Sequence, residues 1–338
     1  MKIDQEITMH TSSAPIKRRT LLVALSTLAA GMHLPALAQA PYPAKPIRLL
    51  VGYTPGGSVD MAARITADML TKYLNATVVV ENVSGAAGVV AAQRAVNAPA
   101  DGYTLLVGSS NEMAATKLVN PAQKYDPLKD LSPIGLIATA PVIWVAGPHV
   151  PVKTLDEFIA LARKNPGKYS YGSSGVGSTL HFAAELIKQR AKLELTHVPY
   201  RGTAALTSDL AGGSLDFAMV SPTAAAPFIQ SGRMTALGVS SATRFPTLKQ
   251  VPALGENAAL SGYELSGWYA LAAPKNLPAD IAKKLTTALQ QGLQDAELRK
   301  RLENAGALPA AGTENLRQVM QNDTQKYAQI AQFARLTD

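Results

Sequence analysis

Gly56, Gly57 and Ser58 follow the apolar run Ile47–Val51 and precede a segment with helical spacing, an arrangement that suits anion binding. Adjacent glycines let the backbone approach a ligand closely, and we expect Gly57 to adopt a positive φ there. A helix beginning at Ser58 presents unpaired N–H groups and the positive end of its dipole. These residues therefore predict a site for a carboxylate or a phosphate, or else only a tight connection between a strand and a helix.

A second loop of this kind, Gly172–Thr179, lies in the other half of the chain. It follows the short strand predicted at Lys168–Tyr171 and precedes a helix predicted over Leu180–Gln189. The polar run Ser109–Asn111 follows a third strand, Tyr103–Val107. Ligands of open parallel sheets lie beyond the carboxyl ends of the strands, so we expect these loops to share one site.

The chain offers no recognisable catalytic arrangement. Leu180 occupies the third glycine position of a dinucleotide fingerprint, and neither a phosphate-binding G-x-x-x-x-G-K-[ST] loop nor a G-x-S-x-G elbow is present. The His residues are isolated from one another and from carboxylates at metal-binding spacing. Ser178 and His181 are close enough on one helix to touch, but a structural or capping role is favoured. The sequence predicts a binding protein, with no cofactor and no metal, rather than an enzyme.

Length and composition are those of a globular protein. With 338 residues, 47% hydrophobic and 17% charged, the chain can form two domains with separate cores. The formal charge is +8, but the basic residues after Arg19 are scattered, which argues against nucleic-acid binding. The chain contains no Cys, so disulfides, thiol catalysis and a lipid-modified cysteine are excluded.

The first 38 residues have the pattern of a signal peptide. Lys17-Arg18-Arg19 is the basic region, Leu21–Ala30 is the apolar region, and Ala36-Leu37-Ala38 fits a cleavage site. The apolar region is too short for a spanning helix, although an N-terminal anchor is the alternative. The mature protein is therefore predicted to be exported to the periplasm as a soluble chain. The paired arginines leave the general and the twin-arginine export routes open.

The remaining pattern predicts an α/β fold with two lobes. Two long extended segments, Ile134–Val145 and Tyr263–Ala273, are expected to carry the chain from one lobe to the other and back. The first lobe would then comprise 39–140 and 262–338, and the second 141–261. A capping box at Thr154–Glu157 predicts a helix start, and a small-residue helix is expected from Gly85 to Asn97. Further strands are predicted at Thr77–Val80, Leu195–Val198, Ser214–Val220 and Thr235–Val239.

Short segments spread over nearly the whole mature chain resemble the periplasmic solute-binding receptors of tripartite tricarboxylate transporters, the Bug-type proteins. In order, they are Tyr42–Arg48, Gly56–Asp60, Val80–Asn82, Asp101–Leu106, Tyr125–Pro127, Gly177–Thr179 with His181, His197–Gly202, and Trp268. The resemblance implies a Venus-flytrap fold of the type II kind. It also implies a carboxylate ligand held in the cleft by loop amides and ordered waters.

The resemblance implies that the loops 53–58 and 173–179 bind the carboxylate and that other residues line the rest of the cleft. The predicted ligand-binding residues are Tyr53, Pro55, Gly56, Gly57, Ser58, Asp60, Ser109, Ser110, Asn111, Ser173, Ser174, Gly177, Ser178, Thr179, Tyr200, Arg201, Gly202, Thr203, Ser221 and Trp268.

Two features depart from the family pattern. Several members carry an acidic residue where this chain has Val220-Ser221, so an amino-acid ligand is disfavoured. Tyr53-Thr54-Pro55 is bulkier than the usual loop and reshapes the pocket. The implied partner of a monomeric receptor is a tripartite tricarboxylate-type permease. The alternatives are a sensor that reports ligand occupancy to a membrane partner, and an enzyme on the same two-lobed scaffold.

Overall fold

The computed structural model describes residues 41–121, 123–200 and 202–336, so the predicted signal peptide and Arg201 lie outside the described residues. Within these ranges the strands are β1 (Ile47–Val51), β2 (Val78–Asn82), β3 (Thr104–Ser109), β4 (Leu131–Ala140), β5 (Ile143–Ala146), β6 (Ser170–Ser173), β7 (Thr196–Pro199), β8 (Phe217–Val220), β9 (Thr235–Val239), β10 (Gly267–Pro274) and β11 (Leu308–Pro309). The α-helices are α1 (Ser58–Leu74), α2 (Val89–Val96), α3 (Pro127–Asp130), α4 (Leu155–Lys164), α5 (Thr179–Ala191), α6 (Thr203–Ala211), α7 (Pro222–Gln230), α8 (Ala279–Gln294), α9 (Ala296–Asn304) and α10 (Leu316–Phe333).

The strands form two sheets of the same design. The first has the order β11-β4-β10-β3-β1-β2 and the second β7-β6-β8-β5-β9. β1 pairs in parallel with β2 and β3, while β10 runs antiparallel to β3. Likewise β6 pairs in parallel with β7 and β8, while β5 runs antiparallel to β8. In each sheet a strand contributed by a crossover, β10 or β5, runs antiparallel to both of its neighbours. The predicted two-lobed, type II-like α/β fold is confirmed.

The chain passes between the sheets at the two predicted extended segments. β4 ends at Ala140 in the first sheet and β5 begins at Ile143 in the second, with Pro141 between them. β10 then returns the chain to the first sheet at Gly267. Residues from Tyr42 onward form one compact unit that contains both sheets. The predicted lobe limits at 140/141 and 261/262 stay predictions.

Burial explains why β1 and α1 form the unit predicted from the sequence. Ile47, Leu49, Leu50 and Val51 are all fully buried, as expected for an inner strand of a parallel sheet covered on both faces. The next helix, α1, buries one face and ends at Asn75, which adopts the left-handed conformation common at helix ends.

Several elements have limits that differ from the sequence-based expectation, such as β6, which extends to Ser173, and local backbone geometry explains one of these differences. The helix expected from Gly85 becomes α-helical only at Val89, because Ala87 and Gly88 have φ of 53° and 94° and interrupt it. The strand expected from Ser214 begins at Phe217. The capping box is present as predicted: the Thr154 hydroxyl accepts from the Glu157 N–H, and the Glu157 carboxylate accepts from the Thr154 N–H.

Candidate functional site

The loop between β1 and α1 leaves the start of α1 open. Gly57 is the N-cap of α1, and no side chain caps this helix. The N–H groups of Ser58 and Val59 donate to no acceptor among the described residues. The expected positive φ lies one residue earlier than predicted: Gly56 has φ of 82°, whereas Gly57 has φ of −73° and is extended. The helix start is therefore available to an anion.

Asp60 holds this loop from beneath. Its carboxylate accepts from the Gly56 N–H at 2.9 Å, from Arg64 Nε at 2.9 Å and from Asn82 Nδ2 at 2.8 Å. Burial acts against ionisation, but the hydrogen bonds from Arg64, Asn82 and Gly56 outweigh it and keep the pKa of Asp60 below its usual value. Asp60 is 1% exposed. Its oxygens serve the loop rather than a ligand.

Tyr53 and Ser109 meet at a buried acid that sequence reasoning did not identify. Glu112 is fully buried and accepts from the Ser109 N–H (2.8 Å), the Ser109 hydroxyl (2.6 Å) and the Tyr53 hydroxyl (2.9 Å). Burial raises the pKa of the Glu112 carboxyl, while the bonds from Ser109 act in the opposite direction. The available signal was an acid placed directly between Ser-Ser-Asn and the apolar run Met113–Ala115.

Asn111 connects the first sheet to the second. Its side-chain oxygen accepts from the Thr179 N–H at 3.0 Å and from the Thr179 hydroxyl at 2.8 Å, and its Nδ2 donates to Tyr53 at 3.2 Å. The Ser110 hydroxyl lies 3.1 Å from the Thr179 hydroxyl. The run after β3 and the start of α5 are thus in direct contact. The predicted convergence of loops from both halves of the chain is present in the structure.

The second glycine loop uses most of its donors internally. Ser178 caps α5, accepting from the His181 N–H at 3.2 Å and donating to the Gly175 carbonyl at 2.8 Å. The Gly175 N–H donates to Ser173 at 3.2 Å. The N–H groups of Ser174 and Val176 donate to no acceptor among the described residues. These two N–H groups are the backbone donors that this loop leaves free among the described residues.

The loops after β7 and β8 differ in whether a side chain caps the helix that follows. Gly202 is the N-cap of α6 and provides no side-chain cap, so no side chain of the described residues caps the α6 start at Thr203. Ser221 caps α7 by accepting from the Ala224 N–H at 3.3 Å. The Tyr200 hydroxyl donates to Asp209 at 2.9 Å. Burial is the larger cause and this hydrogen bond the second cause that raise the pKa of Tyr200 to about 12.

Trp268 is buried, whereas the next residue, Tyr269, approaches the start of α1. Trp268 is 2% exposed and its indole N–H donates to Asp323 of α10 at 2.6 Å. The Tyr269 phenol interacts with the side chain of Ser58, and burial raises the pKa of this phenol. Trp268 therefore anchors β10 to the C-terminal helix, and Tyr269, which was not predicted, reaches the start of α1.

Three further observations concern metal binding, membrane spanning and a second cavity. Among the described residues, no three His, Asp or Glu side chains are grouped so as to bind a metal ion. No helix in that part of the chain is long and apolar enough to cross a membrane. An open groove of about 710 Å³ lies elsewhere on the first lobe, along α2, with Arg48, Arg94 and Lys124 among its lining residues.

The fold and these loops define a two-lobed binding protein. The family model of the tripartite tricarboxylate transporter family receptor matches residues 62–336, and the chain belongs to this family. It is 30% identical over 315 residues to Protein BugT of Bordetella pertussis, covering 93% of this chain and 96% of that one. The structure of R. palustris Rpa4515 with adipate is 31% identical, with a TM-score of 0.77, covering 87% of this chain and 98% of that chain. MatC from Rhodopseudomonas palustris with bound malate is 28% identical, with a TM-score of 0.72, covering 86% and 99%.

Proposed function

We propose that the chain is an extracytoplasmic receptor that captures a small dicarboxylate between its two lobes for a tripartite tricarboxylate-type permease. The observation that carries the proposal is the pair of contacts made by Asn111, which bonds Thr179 at the end of the second glycine loop and Tyr53 in the loop before α1. Adipate and malate, bound in two similar structures, are both dicarboxylates. No catalytic step is assigned to the site.

The free donors suggest how such a ligand is held. One carboxylate would accept from the N–H groups of Ser58 and Val59, with the α1 dipole adding to the attraction. The other would accept from Ser174, Val176 and the start of α6 at Thr203. Hydrogen bonds to a charged group contribute on the order of 1.5–3 kcal/mol each. Several backbone donors can therefore hold a dianion without a lysine or arginine in either loop.

A rival arrangement assigns the charge to Arg201, the one cation in the sequence between β7 and α6. The matched pair Gly57→Asp and Arg201→Ala separates the two. A carboxylate introduced at the α1 N-cap competes with the ligand if backbone donors hold it, whereas loss of the guanidinium abolishes binding if an ion pair does.

A thermal-denaturation screen tests ligand class. Adipate and malate are compared with their neutral diamides on the mature chain. Saturation at 100 times Kd adds about 2.7 kcal/mol of stability, which corresponds to roughly 4 °C for a protein of this size. We expect a shift with a dicarboxylate and none with its diamide. Equal shifts from acid and diamide, or no shift with any small carboxylate, would refute the proposal.

Export and partnership are tested separately. We propose that the chain is cleaved near Ala38 and acts as a periplasmic monomer. Intact-mass analysis of the exported protein should show a mature chain that begins near Gln39. Cross-linking in intact cells, followed by identification of the captured membrane protein, should return a permease. Capture of a membrane kinase instead would identify a sensor.

A further inference from the structure

Two histidines, one buried and one partly buried, stack against each other beside the second glycine loop. His181 lies in the first turn of α5 and is 2% exposed, and His197 lies in β7. Their ring centroids are 3.8 Å apart and the rings are within 11° of parallel. The dicarboxylate site described above makes no direct use of either ring.

Each imidazole is hydrogen-bonded to the loop above it. His181 Nδ1 accepts from the Gly177 N–H at 3.1 Å. His197 Nε2 lies 2.8 Å from the Ser173 hydroxyl, which itself bonds both the N–H and the carbonyl of Gly175. The two rings therefore hold the loop at both of its positive-φ glycines, and Ser174 and Val176 lie between and beside these fixed points.

The charge state of His181 follows from these contacts. An imidazole nitrogen that accepts a hydrogen bond carries no proton, so the remaining proton lies on Nε2. His181 Nε2 faces the Glu185 carboxylate at 3.8 Å. Protonation of Nδ1 would remove the acceptor for the Gly177 N–H and place a positive charge against the neighbouring ring. The loop geometry in this structure requires a neutral His181.

Burial and the Lys188 ammonium favour neutral imidazoles, whereas the Glu185 carboxylate acts in the opposite direction on His197. Glu185 accepts from Tyr171 and from Lys188 Nζ, the latter at 2.7 Å, and the Tyr171 ring stacks on His197 with centroids 4.9 Å apart. These are the titratable groups that face the two rings from β6 and α5. Burial is the main cause that lowers the pKa of each imidazole to about 4. The positive charge of Lys188 adds to this effect at His181, and the His181 ring adds to it at His197.

Close packing from the first lobe adds to this constraint. A Cβ on Gly177 would lie 2.2 Å from Val119 Cγ2, so only glycine fits there, and its φ is 75°. The loop is therefore confined between the imidazole pair below and the first lobe beside it. Val119 blocks movement of the loop at Gly177, whereas Val176 is exposed, so a change in the ring contacts would be taken up by the loop backbone around Val176.

We propose that His181 and His197 are positioning residues for ligand capture. They hold the loop 174–178 so that its free N–H groups point at the ligand, and His181 can do so only while its Nδ1 carries no proton. The inference rests on the proposed function for its ligand, but its claim about the loop applies to the free protein as well. The loop would thus bind through donors that are fixed before the ligand arrives, which reduces the ordering cost of binding.

Matched substitutions test the role of each ring nitrogen. His181→Asn keeps an acceptor at the δ1 position, and His181→Leu removes it. In the same way His197→Gln keeps a polar atom at the ε2 position, and His197→Leu does not. Affinity for adipate and malate is measured by calorimetry, and exchange of the Gly177 amide by fragment-resolved hydrogen–deuterium exchange on the ligand-free mature chain.

We expect each Leu variant to bind about tenfold more weakly or worse, and His181→Leu to exchange Gly177 about tenfold faster. The Asn and Gln variants should stay within about threefold of wild type. Because one fewer imidazole titrates in His181→Asn, its affinity relative to wild type should rise about twofold between pH 7 and pH 4.

The proposal is overturned if both Leu variants bind and exchange as wild type does, or if His181→Asn, folded with a wild-type Tm, loses protection as His181→Leu does. If His181→Leu fails to fold, the His197 pair and the pH comparison decide the question. If neither dicarboxylate binds wild-type protein, the proposed function fails for these ligands, and Gly177 exchange alone decides whether the rings position the loop.

Discussion

The side-chain oxygen of Asn111 accepts both the N–H and the hydroxyl of Thr179, at 3.0 and 2.8 Å, across the boundary between the two sheets. One neutral amide thus occupies the start of α5, a position where a helix would otherwise attract an anion. The starts of α1 and α6, in contrast, have glycine N-caps and no side-chain cap among the described residues.

The Asn111–Thr179 contact is expected to hold the run after β3 against the start of α5 and thereby to favour ligand binding. Asn111→Ala should weaken dicarboxylate binding by about tenfold, since the two hydrogen bonds are lost. Thr179→Val removes only the hydroxyl and should cost less. A double-mutant cycle by calorimetry measures their coupling. Additive losses in the double variant would show that the contact plays no part in binding.

Gly57→Asp is expected to separate binding from stability. An aspartate at the N-cap accepts from first-turn N–H groups and complements the helix dipole, so the free energy of unfolding should stay the same or rise by a few tenths of a kcal/mol. The same carboxylate occupies the proposed ligand position, and binding of adipate or malate should be lost. Gly57→Ala is the control, because φ of −73° accepts a side chain and the nearest atom to the added Cβ is 3.4 Å away.

Retention of full affinity by Gly57→Asp would place the ligand away from α1. If Arg201→Ala abolishes binding in the same experiment, a side-chain ion pair holds the carboxylate, and the backbone-donor arrangement is wrong.

Ser178→Ala should act mainly on stability. The hydroxyl is engaged within the protein as the α5 N-cap, and loss of such a cap costs about 1 kcal/mol. We expect a lower midpoint in urea with an unchanged slope, and a smaller effect on affinity than that of Asn111→Ala. Ser178→Thr, which keeps the cap, serves as the control. A hundredfold loss of affinity at constant stability would instead show that the hydroxyl touches the ligand.

Stability should fall in acid through the imidazole pair. Each folded-state pKa, about 4, lies below the ordinary value of 6.5, so the unfolded chain binds more protons between these values. Stability therefore falls as pH decreases from about 6.5 to 4. For the nearly fully buried His181 a shift of this size corresponds to about 3 kcal/mol.

Urea titrations of wild type and His181→Asn at pH 7, 5.5 and 4 measure this contribution, because the carboxylates common to both chains cancel. The difference between the two proteins should move in favour of the variant as pH falls. A difference that does not change with pH would show that His181 titrates normally.

Much of the architecture was accessible from local sequence patterns. The strand, glycine loop and helix around Gly56 were predicted because apolar runs, turn residues and helical spacing act over a few residues, where backbone preferences dominate. The crossover segments and the capping box at Thr154 followed from the same kind of signal. The resemblance to the receptor family then combined these units into two lobes.

The sequence by itself determined where the polar loops lie, but only the tertiary structure decided which of their donors remain free. Asn111 and Thr179 are 68 positions apart, and Gly177 turns its N–H inward because an imidazole from the following helix accepts it. Glu112 became visible only as the buried acceptor shared by Tyr53 and Ser109. A hydrogen bond depends on distance and direction in space, and residue type reports only the capacity to form one.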